Sequence, residues 1–196
     1  LLFFCIIAAW LPDIDNVVGF FGPEFYLVYH RGFTHSFLGG FVLAAVLVGI
    51  FRVFIKSFPI LYGFILAYAC IVIHIFLDLI TSYGTQILFP VTSTRYSIPS
   101  VFILDPVYTL VMISLSYKSF RSLKKRKTIA IIGLLWVFIY PTVNLGIRYT
   151  LHYHVEKQLR SAGMVFDNLD VSTDVLSPFY WKIIIEDTTS YQVGGL

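Results

Sequence analysis

"HRGFTHSFLGGFVLAAVLVGIF", residues 30–51, decides what kind of fold this chain can form. Its last 15 residues contain no charge, and such a run is a natural candidate for crossing a bilayer. Its first seven hold two histidines, an arginine and two hydroxyls pressed against that apolar run. A greasy helix that begins with two imidazoles needs a reason.

Composition gives the first part of it. The chain is 58% hydrophobic and only 13% charged, with mean hydropathy +0.81, whereas a soluble domain is about a quarter charged. It therefore reads as an all-α polytopic membrane protein of about five spans, the first one partial, with a small α+β appendage. The basic residues are clustered and the pI is only about 8.8, so nucleic acid is not an expected partner. Cys5 and Cys70 lie in apolar runs and read as reduced packing residues. "LLFFCIIAAW" has no basic region before it and no small-residue cleavage site after it, so it reads as part of a helix and not as a signal peptide. "YQVGGL" stops inside a strand-like run, and the chain is expected to be a piece of a longer protein.

Segments 33–51, 58–80 and 128–147 are long enough to span, while 101–117 is marginal because Asp105-Pro106 reads as an N-cap and first-turn proline. Arg52 and Lys56 occupy the link after the first of these, and "KSFRSLKKRK" (118–127) carries six basic residues and no acid. The positive-inside rule assigns both links to the cytoplasm. Residues 13–32, 81–100 and the part after 148 then face outward. All 11 acids and all five histidines fall in those parts or close to the outer helix ends. Two domains are expected: 1–148, helical and bearing the site, and 149–196, an extracytoplasmic tail with a helical continuation, "LHYHVEKQLRSAG", then a loop and a hairpin in which "FYWKIII" and "YQVGG" flank a turn at "EDTTS".

Three stretches carry chemistry. "LPDID" offers Asp13 and Asp15, "HRGFTHS" offers His30 and His35, and "HIFLDLITSYG" offers His74 and Asp78 on one helix face, continued by Thr81. An aspartate at mid-span costs about 2.5–3.5 kcal/mol on insertion scales, so it is kept with a partner, water or a metal. Six His and Asp side chains at one level suit one or two divalent ions, with zinc favoured and Mn or Fe as alternatives. A metal-free hydrogen-bonded His74–Asp78 pair is the simpler rival. Asp105 is equally an N-cap or a site residue, and either Thr34 or Ser36 can cap the following helix. Arg31, Arg95 and Arg148 can bind phosphate or snorkel to headgroups.

In order and spacing, "LPDID", "HRGFTHS", "HIFLDLITSYGTQILFP" and "ILDPVYT" resemble the YdjM-like membrane-bound metal-dependent hydrolases, over roughly residues 10–110. "SPFYWKIIIEDTTSYQVGG" is similar to the extramembrane β region of longer members. The resemblance implies a bacterial inner-membrane hydrolase with metal ligands Asp13, Asp15, His30, His35, His74 and Asp78. It also implies a Thr-His pair in the first helix, in a region that would precede Leu1. A spare carboxylate, Asp15 or Asp78, would act as base. A site at the outer headgroup level favours a lipid or lipid-linked phosphoester. The rival from another class is a non-catalytic metal-stabilised scaffold or regulator, and a transporter ranks third because the polar residues gather at one surface.

Overall fold

The computed structural model describes residues 1–188 and 190–195, which form two compact units.

The first unit comprises Leu1–Leu79 and Tyr83–Ser97. Helix α1 (Leu2–Trp10) does not stop at Leu11-Pro12 but tightens into a 3₁₀ segment, Leu11–Phe21. A short helix α2 (Pro23–Tyr29) and a 3₁₀ turn (Phe33–His35) lead into α3 (Phe37–Phe54) and α4 (Ile60–Leu79). The start of α3 is fixed by Ser36, whose Oγ accepts from the Gly39 N–H at 2.9 Å and donates to the Phe33 carbonyl. Thr34 is thereby left for another task.

The core of this unit is Phe4 and Ala8 from α1, Ala44, Leu47 and Val48 from α3, and Ala67, Ile71 and Ile75 from α4. Small residues set the spacing. A Cβ on Gly40 would stand 2.8 Å from Ile71 Cγ2, closer than packed carbons approach, so glycine is what lets α3 lie on α4. Phe4 meets Phe51 edge-on with ring centroids 4.8 Å apart. The 83–97 loop is tied back by Gln86 N–H to the Arg31 carbonyl and by Phe37 N–H to the Ile87 carbonyl.

The second unit comprises Ile80–Ser82 and Ile98–Leu196. Helix α5 (Pro106–Arg121) is capped by Asp105, which accepts from the Tyr108 N–H at 2.9 Å. Helix α6 (Arg126–Ser161) runs 36 residues without a break, Pro141 included. Three antiparallel strands follow in the order β1 (Asn168–Thr173), β2 (Trp181–Asp187), β3 (Ser190–Gly195). Val155 of α6, Phe166 and Leu169 form a small core, with Ile183 and Ile185 packed against it.

Among the described residues, four helical stretches are long and apolar enough to cross a membrane: Leu2–Phe21, Phe37–Phe54, Ile60–Leu79 and Leu123–Ser161. The fifth expected span falls short. At 16 residues α5 is roughly 24 Å long, less than a ~30 Å hydrocarbon core, because its first turn begins only at Pro106. The expected hairpin is present, with Asp187 opposite Ser190. Strand β1, read from sequence as loop, is an addition. The boundary expected at 148 falls inside α6, whose last turns carry the core on which the sheet packs.

Candidate metal centre

The sites of interest in the first unit are built at the end of α4, the start of α3 and the 3₁₀ segment. A 3₁₀ helix advances about 120° per residue, so Asp13 and Asp15 leave the same segment in different directions. The Asp13 side chain is 45% exposed and that of Asp15 only 8%. They do different things.

Asp13 Oδ1 stands 3.6 Å from His35 Nε2 and 3.6 Å from His74 Nε2. The two Nε2 atoms are 3.3 Å apart. Among the described residues, Asp13, His35 and His74 thus form a group whose donor atoms all lie within 4.8 Å of one another. Asp78 Oδ2 approaches the same two nitrogens at 3.1 and 3.4 Å. For bonds of ~2.0–2.2 Å, two ligand atoms of a tetrahedral ion are separated by about 3.3–3.6 Å, so the spacing and the mixed imidazole–carboxylate chemistry fit a divalent cation.

Asp15 lies behind this cluster. Its Oδ1 meets His30 Nδ1 at 2.8 Å, and its Oδ2 accepts from Thr34 Oγ1 at 2.7 Å and the Arg31 N–H at 3.0 Å. Its Oδ2 also stands 3.0 Å from His35 Nδ1. A carboxylate on Nδ1 fixes the tautomer that leaves Nε2 with a lone pair facing the cluster. His35 itself is fully buried. Burial alone would lower its pKa, but Asp15 and Asp78 outweigh burial and raise it to about 9.

His30, expected among the ligands, packs flat on Tyr26 with ring centroids 4.4 Å apart and meets His35 edge-on. Arg31 adopts φ +57° and pairs with Asp78 Oδ1 at 2.8 Å. Arg95 donates to the carbonyls of Leu27, Val28, His30 and Gly84. Both guanidiniums are thus engaged by the protein itself and do not present an open fork to phosphate. Tyr83, which the sequence did not single out, lies under both, with the Arg31 and Arg95 guanidinium carbons 5.1 and 5.6 Å from its ring centre. Its place directly after "LITS" was the only available signal.

Thr81, Asp105 and Arg148 belong to the second unit. Asp105 caps α5 and accepts from the Tyr140 hydroxyl at 2.8 Å. Arg148 donates to the Val171 carbonyl at 2.6 Å and pairs with Asp170 at 2.7 Å, holding β1 to α6. Thr81 is buried next to the Ile80 carbonyl that accepts from Ser100 and Val101.

Residues 1–155, most of the chain, match the YdjM inner membrane protein family. The chain belongs to that family. It is also similar to a protein of Bacillus subtilis (strain 168) described as uncharacterized protein YfhP, with 22% identity over 186 residues. That alignment covers 93% of this chain and 54% of the Bacillus protein, so the chain spans about half the length of its relative. No solved structure matches. The YdjM match takes in all three stretches that build the cluster, and it ends near the last turns of α6.

Proposed function

We propose that this YdjM-family chain is a membrane-embedded, metal-dependent hydrolase acting at the extracytoplasmic face on a lipid or lipid-linked phosphoester. The observation that carries the reading is the convergence of Asp13 Oδ1, His35 Nε2 and His74 Nε2 within 4.8 Å, with Asp15 orienting His35 from behind.

Asp13, His35 and His74 would hold the ion, zinc by preference for two imidazoles and a carboxylate. A divalent ion supplies Lewis acidity, polarising a scissile bond and acidifying water. Asp78 Oδ2, 3.1 and 3.4 Å from the two imidazole nitrogens, is the carboxylate placed to take a proton from an attacking water. Asp15, also a candidate base on sequence grounds, spends both oxygens on His30, Arg31, Thr34 and His35, and its role in this reading is orientation. Access runs past the half-exposed Asp13. There Ile7, Trp10, Leu11 and Ile14 border an open apolar groove, a surface suited to a lipid chain beside the site.

A non-catalytic, metal-stabilised scaffold is the second reading, favoured by the closeness of Asp78. Were Asp78 a fourth ligand, the shell would be closed, as in structural zinc sites. Metal analysis of the purified full-length protein, followed by Asp78→Asn, separates the two. The hydrolase reading expects the variant to retain its ion at saturating metal while losing turnover of a panel of lipid phosphoesters. Loss of the ion with Asp78→Asn, together with no turnover by the metal-loaded wild type, supports the scaffold.

A further inference from the structure

Arg31 is the one described non-glycine residue with positive φ, at +57°. Arginine has no side-chain reason to favour that left-handed conformation, so the surrounding contacts must impose it. They are specific. The Arg31 backbone N–H donates to Asp15 Oδ2 at 3.0 Å, while its guanidinium pairs with Asp78 Oδ1 at 2.8 Å and reaches the Asp78 carbonyl at 3.4 Å. One residue therefore touches both carboxylates, the buried Asp15 through the main chain and the partly buried Asp78 through the side chain. An extended residue here would send its N–H and side chain elsewhere.

We propose that Arg31 is a positioning residue, which holds the Asp78 carboxylate against His35 Nε2 and His74 Nε2 so that the cluster can bind a cation. This rests on the reading of Asp13, His35 and His74 as a metal centre. The ion pair occupies Oδ1 and leaves Oδ2 beside the two imidazole nitrogens. The Tyr83 ring beneath the guanidinium limits its other orientations. The planar fork reaches the carboxylate and the Asp78 carbonyl together, which a lysine ammonium does less well.

The sign of the effect tests the idea. A guanidinium acting only as charge would repel a cation, so its removal would tighten binding. A positioning guanidinium does the reverse. Arg31→Gly deletes the side chain while glycine keeps φ +57° and the N–H on Asp15, so the turn survives. Co²⁺ affinity and its visible absorption are measured on full-length protein in nanodiscs, with thermal melting to confirm folding. Arg31→Gly should weaken Co²⁺ about tenfold or more and change the spectrum, and Arg31→Lys should recover part of the loss. In an Asp78→Asn background Arg31→Gly should add nothing, because both changes remove the same interaction. Arg31→Gly binding Co²⁺ as tightly as wild type, or more tightly, overturns the proposal and leaves the metal centre standing. Wild type that binds no Co²⁺ removes the metal centre itself.

Discussion

His35 Nε2 and His74 Nε2, thirty-nine residues apart in the chain, stand 3.3 Å from each other. Two lone pairs cannot face one another at that distance without a proton or a cation between them. Asp15 on Nδ1 of His35 already fixes which nitrogen faces inward. The approach of α3 to α4, permitted by Gly40, is what brings the two rings together.

His35→Ala or His74→Ala should each abolish stoichiometric binding of Zn²⁺ by the full-length protein, measured by elemental analysis after dialysis. Each removes one of the inner donor atoms. Retention of one equivalent by both variants would show that the cluster is not the binding site.

Asp15→Asn should weaken metal binding by about 10–100-fold, although no ligand is lost, because the carboxylate that orients His35 is gone. Asp15→Ala should also lower stability, by about 1–3 kcal/mol for each buried donor left without a partner. The Arg31 N–H and His30 Nδ1 lose theirs, while Thr34 Oγ1 keeps its contact with His35 Nδ1. Competition titration with a chromophoric chelator reads the first effect and thermal melting the second. Wild-type metal affinity in Asp15→Asn would assign the residue a packing role only.

In the metal-free protein the raised pKa of His35 makes stability depend on pH. The folded value of about 9 lies above the ordinary 6.5, so the folded state binds the extra proton between them. The contribution is complete below the unfolded value and is lost as pH rises through about 9. Melting temperatures of chelator-treated wild type should fall across that window, and His35→Gln should lack the fall. Metal binding should show the opposite trend and tighten with rising pH, since ligation needs the neutral ring. A wild-type melting profile that is flat or rises above neutrality contradicts the assignment.

The Arg52–Lys56 link is expected in the cytoplasm, on the side away from the cluster, by the excess of basic residues. With Cys5 and Cys70 replaced by serine, Lys56→Cys should resist an impermeant thiol reagent in intact cells. Glu24→Cys and Ser93→Cys should react. Labelling of position 56 from outside would invert the topology.

The sequence by itself determined the class of molecule. Uncharged runs near 20 residues have no stable place except a bilayer or a helix-packed core, and run length at 33–51 and 58–80 sufficed to find the helices Phe37–Phe54 and Ile60–Leu79, as the turn at "EDTTS" did for the β2–β3 hairpin. It also gathered Asp13, Asp15, His30, His35, His74 and Asp78 into three stretches, because an ionisable group within a span is too costly to occur without a partner. The run of α6 was largely legible, since 128–147 reads as a span with Pro141 inside it and the stretch after it as a helical continuation, and both belong to one helix. Strand β1 was missed because "NLDVST" is polar at alternate positions and buries Leu169 and Val171 only against a partner strand.

Within the site, only tertiary structure assigned places. His74 and Asp78 share a face by helical spacing alone, so their proximity could be read directly. Asp13 and Asp15 differ because a 3₁₀ segment turns them apart, and nothing in "LPDID" says that the helix tightens there. His30 and His35 differ because the chain passes through a left-handed residue between them, which sets one ring against Tyr26 and the other against His74. Which side chains could line a site follows from residue type and membrane cost. Which atom faces inward depends on backbone torsions that long-range contacts impose.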